Sequence, residues 1–375
     1  MPTPSSPVLI AGAGPTGLAA ALFLACRGVP VRVIDKAPAP SHTSKALAVN
    51  PRTQELLEST GVTARMLVEG WDIRGVTLHR AGGEDLAVPL SPLLDTGRSL
   101  ISLPQARTEA LLAEALQAQG VAVERGVRLD AFEQSADAVS AALVHPDGSV
   151  ERAQAPLLFG ADGAHSTVRQ GLGLAFPGDE LAEPWLLWDL RLATPLAADR
   201  VHLLLLPDGF LFALRVHGDL WRVMGNSAAP LSALPAGTVC GDVAWQSHFH
   251  IAHRVAERAG AGRVLLGGDA AHIHSPLGAR GMNLGIEDAY VFADCAVAAL
   301  AGDTERLTDY AQLRHAVHRQ VVRRIGALTR LMHGHPAALR ELRDIAVPRL
   351  LRFAPARRQF LRVAGGLDHP LRTRS

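Results

Sequence analysis

Residues 7–38 read PVLIAGAGPTGLAAALFLACRGVPVRVIDKAP, and this stretch decides the fold. Val8–Ala11 is a short apolar run suited to a buried strand, and the glycine turn Gly12-Ala13-Gly14-Pro15-Thr16-Gly17 follows it directly. A helix then runs to about Arg27, and a second strand, Val31–Ile34, ends in Asp35. In this pattern Gly12 makes a tight turn, Gly14 lets backbone approach a pyrophosphate, and Gly17 lets helix and strand pack closely. The free N–H groups and positive dipole end of the helix complete an anion site. Asp35 falls eighteen residues after Gly17, where a carboxylate accepts hydrogen bonds from ribose hydroxyls. The order strand, glycines, helix, strand, acid predicts a dinucleotide site. It does not say which dinucleotide, because NAD and FAD use the same turn.

At 375 residues the chain exceeds one ordinary core, so two domains or one large α/β domain with an appendage are expected. Its 48% hydrophobic and 19% charged residues are those of a globular protein. The three cysteines, Cys26, Cys240 and Cys295, lie far apart with no CxxC pair, which suits a reducing compartment. Pro15 and Thr16 interrupt the apolar run from Val8 to Cys26, so it reads as strand, turn and helix rather than a signal or membrane segment. The expected location is the cytoplasm, with no transmembrane segment. Net charge is only +1, yet fourteen arginines face three acids from Arg314 to Ser375. No aromatic interleaving or nucleic-acid motif accompanies them, so they read as solvated helix faces answering acids elsewhere, with peripheral membrane contact the weaker alternative and no nucleic acid expected.

Two later stretches repeat the theme of a carboxylate where strand becomes helix. In PLLFGADGAHSTVRQGLGL, an apolar strand at Leu157–Phe159 leads into Gly160-Ala161-Asp162-Gly163, with Ser166 placed as a helix cap. In GGDAAHIHSPLGARGMNLGIEDA, a strand at Arg263–Leu266 feeds Gly267-Gly268-Asp269, then a loop from Pro276 to Gly281, then a helix from about Met282.

Together the three stretches resemble the single-component FAD monooxygenases of the para-hydroxybenzoate hydroxylase type, over roughly Val8–Ala298. The resemblance implies an α/β fold: a Rossmann-like FAD-binding domain of the glutathione-reductase type, an inserted and mostly antiparallel β substrate domain, and a C-terminal helical segment. The expected boundaries are 1–72, 102–175 and 262–300 for the FAD domain, 73–101 and 176–261 for the substrate domain, and 301–375 for the helices. The resemblance also implies FAD as cofactor and NAD(P)H as transient co-substrate. NAD(P)H reduces the flavin, O2 adds at flavin C4a, and the hydroperoxide oxygen passes to an aromatic, phenolic or heteroaromatic ring.

The site residues follow from the same resemblance. Gly12, Gly14, Pro15, Thr16, Gly17 and Asp35 bind the adenosine half, with Lys36 beside the acid. Asp162 and Gly163 lie near the pyrophosphate, and Gly268 and Asp269 contact the ribityl chain. Pro276 and Gly278 let backbone lie close to the flavin, while Gly281, Met282 and Asn283 aim a helix N-terminus at its N1/C2 oxygen region, favouring anionic reduced flavin. Lys45 stands where the family commonly has Arg, and Arg52 and Gln105 match a common Arg and Gln. Asp35-Lys36 replaces the usual Glu-Arg, and LGARGMN replaces GGQGMN, which puts Arg280 in the flavin loop.

No second GxGxxG, nucleophile triad, paired carboxylates or metal cluster is read, so no catalytic or metal residue is assigned; His272 and His274 read as loop packing or polar groups beside the flavin. Trp185, Trp188, Phe210, Phe212 and Trp221 are candidates for a pocket or plain core. Arg215, Arg222 and His202 are candidates for pairing with an anionic substrate or for surface positions. A flavin-dependent halogenase is disfavoured, because the chain has only Lys36 and Lys45 and lacks WxWxIP. A ubiquinone-pathway or other prenyl-lipid hydroxylase or reductase, and a non-catalytic flavin binder, stay as alternatives; the chain is expected to be a monomer or homodimer.

Overall fold

The computed structural model describes residues 6–41, 46–80, 84–90, 97–207, 209–227, 230–334 and 336–371. Its first strand, Val8–Ala11, is wholly buried and pairs parallel with Val31–Asp35 on one side and Leu158–Gly160 on the other. Adding Val264–Leu266 beyond Leu158–Gly160 and Val123–Arg125 beyond Val31–Asp35 extends the parallel sheet, and the short strand Gly260–Ala261 closes one edge antiparallel.

Because these strands run parallel, Ala11, Asp35, Gly160 and Leu266 all finish at one edge. The three glycine turns, far apart in sequence, are therefore neighbours in space, at the sheet edge where open α/β folds hold their ligands. The first helix, Pro15–Ala25, is apolar on every side, and Leu18–Leu24 are all buried. Such a helix is stable only when enclosed. It packs against the helices Gln105–Ala118 and Gly281–Leu300. Phe159 stacks on Phe292 at 4.1 Å between ring centroids, and the Tyr310 hydroxyl donates to the Leu266 carbonyl at 2.8 Å, which ties the long helix Glu305–His333 to the sheet.

A second sheet has seven strands in the order Val239–Phe249, Trp185–Ala193, Leu220–Gly225, Gly209–His217, Arg200–Leu206, Gly75–Arg80 and Leu86–Pro89. Its pairings are antiparallel except Arg200–Leu206 with Gly75–Arg80. Strand alternation splits its side chains between two faces. Trp188, Leu190, Trp221 and Val223 form one core on the outer face; Trp185, Leu187, Phe210 and Met224 face Leu277 and Met332 on the other.

Pro336 and Pro348 open helices rather than end them. The long helix stops at Gly334, which has φ +74, and Pro336 caps Ala337–Glu341. A π-helical turn, Leu342–Ala346, follows; Pro348 then sits in the first turn of Val347–Arg352, and the last helix is Ala354–Ala364. Proline is tolerated in a first turn because no intrahelical N–H bond is lost there. No helix among the described residues is long and apolar enough to cross a membrane.

Candidate functional site

The three turns touch through their glycines. A β-carbon at Gly12, whose φ is +102, would stand 2.2 Å from the Ala161 carbonyl oxygen, and one at Gly17 would stand 1.9 Å from that of Gly12. Gly268 and Gly285 leave room for the Thr16 hydroxyl, which a β-carbon would meet at 2.4 and 2.2 Å. At Gly14 and Gly163, by contrast, an added β-carbon would meet nothing within 4 Å. Some glycines thus seal the turns together, whereas these two leave open space beside backbone.

The carboxylates fix the loops. Asp35 accepts from the Ala13 amide at 2.6 Å and the Ala37 amide at 2.8 Å, and Arg125 lies 3.6 Å away. Asp162 accepts from the Ser166 hydroxyl at 2.5 Å and the Val168 amide at 3.1 Å, while Ser166 caps the helix Thr167–Gly171 through the Arg169 amide. The buried Arg169 then donates to the Ala164 and Ala270 carbonyls, each at 3.0 Å, joining the second turn to the third. Arg169 closes the stretch Gly160–Arg169 of the second turn, which by itself gave it no role, and Arg125 lies outside all three stretches.

The third turn rests on a fully buried anion, Asp288. It accepts from the Gly268 amide at 2.9 Å and from Arg314 Nε at 2.6 Å; His272 Nε2 and His318 Nε2 lie 2.9 and 2.7 Å from its oxygens. These two histidines and Asp288 have the spacing of a metal triad. The arginine cation on the same carboxylate oxygen opposes a second cation there, so the cluster reads as a hydrogen-bond hub. Burial, opposed by Asp288, lowers the His318 pKa to about 3; burial likewise lowers that of His274 to about 3. Burial would raise the Asp288 pKa, but His318, Arg314 and His272 hold it well below the carboxylate range.

A cavity of about 560 Å³ opens where the third turn meets the inner face of the seven-stranded sheet. Of the expected site residues, Gln105, Asp269, Pro276, Gly278, Gly281, Met282 and Asn283 line it; those of the first and second turns and Gly268 do not. Gln105 donates to Glu109 at 2.8 Å. Asn283 donates to the carbonyls of Ala48 and Ala279 and accepts from the Asn50 amide at 3.0 Å, so its side chain locks the loop. Ala279 carries φ +53, a left-handed conformation uncommon for alanine, in the middle of this loop. Lys36 is exposed at the strand end, and Arg52 is half-buried with its amide donating to the Gly365 carbonyl at 3.3 Å. Lys45 lies outside the described residues.

The opposite walls are apolar: Leu78, Leu203, Phe212 and Met224 from the sheet, and Leu351 and Phe360 from the C-terminal helices. Of the candidate aromatics, Phe212 alone lines the cavity; Trp185 packs edge-on to Phe210 at 4.9 Å, and Trp188 and Trp221 lie on the outer face. Arg222 lines the cavity and forks onto Asp189 at 2.8 Å, Arg215 lies over Trp71 at 3.9 Å, and His202 is buried against His79 at 2.9 Å. The C-terminal wall was missed by sequence reading, because helical periodicity does not say what a helix covers.

The site fits a bound dinucleotide on its own features: open space at Gly14 and Gly163, and the buried cavity-lining atom His274 Nε2, which has no hydrogen-bond partner among the described residues. Residues 5–212 and 227–325 match the family described as "FAD binding domain", and the chain belongs to it. The chain is 36% identical over 314 residues to the 6-methylpretetramide 4-monooxygenase of Streptomyces rimosus, spanning 76% of this chain and 54% of that protein. It is 33% identical over 380 residues to an uncharacterized aromatic compound monooxygenase of Bacillus subtilis, spanning 96% and 75%. Among solved structures, the anhydrotetracycline hydroxylase of Streptomyces rimosus matches with a TM-score of 0.81 at 31% identity, over 97% of this chain and 77% of that one.

Proposed function

We propose that the protein is an FAD-dependent monooxygenase that uses NAD(P)H and O2 to hydroxylate an aromatic substrate. The observation that carries this reading is the cavity in which the loop Pro276–Asn283 faces an apolar wall. When bound, FAD accepts electrons from NAD(P)H and activates O2. The chain's part is placement: Gly12, Gly14 and the start of the first helix hold the pyrophosphate, Asp35 the ribose, and Asp162, Gly163 and Asp269 the middle of the cofactor. The first amides of the 20-residue helix Gly281–Leu300 have no intrahelical partners and carry the positive dipole end, which favours negative charge beside them. Leu78, Leu203, Phe212 and Phe360 exclude water. The walls opposite the flavin loop are apolar, which favours a hydrophobic aromatic substrate, in keeping with the relatives named for 6-methylpretetramide and anhydrotetracycline.

In this reading the six-stranded sheet is the glutathione-reductase-type FAD domain, built from 1–72, 102–175 and 262–300. The seven-stranded sheet is the inserted substrate domain, 73–101 and 176–261, and 301–375 is the helical region closing the cavity. The test is direct: reconstitute with FAD, then follow NAD(P)H oxidation against a panel of phenols. Hydrophobic aromatics are expected to accelerate it and to gain one oxygen by mass. A yellow protein that gives neither effect across the panel overturns the monooxygenase reading.

A further inference from the structure

The loop Gly278–Asn283 is buttressed from behind by the segment Val363–His369. Arg280 is only 1% exposed; its guanidinium donates to the Val363 carbonyl at 3.3 Å and lies 3.5 Å from Glu287 Oε1 and 3.8 Å from Asp368 Oδ1. Glu287, on the helix that begins at Gly281, is fully buried. Its other oxygen is 2.5 Å from His369 Nε2, and His369 Nδ1 is 3.0 Å from Asp368 Oδ1. Ionised carboxylates only accept hydrogen bonds, so a ring whose two nitrogens face two carboxylates is satisfied only when both nitrogens carry protons. The arrangement therefore calls for an imidazolium. Gly366 permits the approach: a β-carbon there would stand 2.7 Å from the Arg280 guanidinium and 2.9 Å from the Asn50 amide nitrogen.

We propose that His369 is a positioning residue for the loop that faces the flavin: as an imidazolium bridging Glu287 and Asp368, it clamps the segment Val363–His369 behind Arg280, so that retention of FAD depends on a single proton remote in sequence from every nucleotide-binding turn. This rests on the flavin reading above.

Among the described residues, the other charged groups facing the clamp are Arg314, 3.7 Å from Glu287, and Arg324, 2.6 Å from Asp368, both on the long helix. They neutralise the carboxylates partly but cannot release a proton near neutral pH. Burial opposes charge on His369, yet its bonds to Asp368 and Glu287 prevail and raise its pKa above the ordinary value. The clamp is thus closed below the ordinary histidine pKa and opens as pH rises through the raised one.

The experiment uses the FAD-loaded protein between pH 6 and 9, with hydrogen exchange of peptides spanning residues 361–371 and FAD release followed by recovery of flavin fluorescence. In the wild type, protection of this segment, corrected for intrinsic exchange, is expected to fall with rising pH while FAD release accelerates at least tenfold. His369→Gln should be fast in both measurements and nearly flat with pH. Asp368→Asn keeps the ring and the Glu287 contact and should shift the wild-type transition to lower pH. If His369→Gln and wild type show the same protection at every pH, the clamp is overturned. If the segment opens while FAD release does not change, its coupling to the loop is overturned. A chain that takes up no FAD at all overturns the flavin reading, whereas either of the other failures in a yellow protein leaves that reading standing.

Discussion

Glycines separate by what their missing β-carbon would strike. Gly12 has φ +102 and a backbone oxygen 2.2 Å from the position of a β-carbon, so Gly12→Ala is strained both locally and against the second turn. Gly14 is neither, so Gly14→Ala is expected to fold with a melting temperature within a few degrees of wild type while binding FAD at least tenfold more weakly. Gly12→Ala is expected to lose about 2–4 kcal/mol of stability as well. Thermal melts and FAD titration of the two variants check this; equal FAD affinity in Gly14→Ala and wild type would remove the pyrophosphate from that turn. The tight turn at Gly12 and the close packing at Gly17 could be read from spacing, whereas the approach of a pyrophosphate to Gly14 is a proposal that the titration tests. The hub at Asp288 could not, since its partners come from residues 268, 272, 314 and 318 and meet only because two helices cross behind the third turn.

Among elements, the C-terminal helices depart furthest from their reading as solvated basic faces. Several of their arginines act inside the fold. Arg343, 1% exposed, donates to the carbonyls of Leu206, Gly209 and Met332, each at 2.9 Å, and pairs with Asp344 at 2.7 Å. It staples the π-helical turn to a hairpin of the seven-stranded sheet, and so places Leu351 and Phe360 over the cavity. Arg340 donates to the Pro207 carbonyl at 3.2 Å, and Arg324 pairs with Asp368. Arg343→Met keeps the bulk of the side chain and removes its donors, leaving the carbonyls of Gly209, Met332 and the half-buried Leu206 with one partner fewer. The expected cost is about 3 kcal/mol, measured by urea unfolding, with faster proteolysis within residues 342–364. A variant as stable as wild type would show that packing alone holds these helices. Composition revealed an excess of arginine; it held no information on which guanidinium would find three carbonyls.

Over the whole molecule, buried titrating groups set a pH window. His274 and His318 bind protons near the ordinary histidine value when unfolded, but only near pH 3 when folded. The unfolded chain therefore takes up more protons as pH falls below about 6.5, and stability drops at roughly 1.4 kcal/mol per pH unit for each histidine. Asp368, lowered to about 2 because His369, Arg280 and Arg324 outweigh its burial, adds a further loss from about pH 4 toward pH 2. His369 has the opposite sign: its raised pKa stabilises fully below the ordinary histidine value and fades as pH rises through the folded one. Melting temperature should peak near neutrality, and His369→Gln should flatten the alkaline limb while leaving the acid limb in place. A wild type whose melting temperature stays constant from pH 4 to 7 would contradict the lowered proton affinity of His274 and His318.

By itself the sequence determined the strand, glycine turn, helix and acid of the first unit, the repetition of that theme in two later turns, and the alternating strands between them. These are local patterns: a two- or 3.6-residue period, a residue type at a turn, a carboxylate at a strand end. Tertiary structure alone decided that the three turns abut at one sheet edge, that Phe212 rather than the tryptophans faces the cavity, and that the segment Val363–His369 braces the loop at Arg280. Those facts depend on which face of a strand turns inward and on contacts between residues separated by eighty positions or more, and neither distance nor facing is encoded in any short stretch of residues.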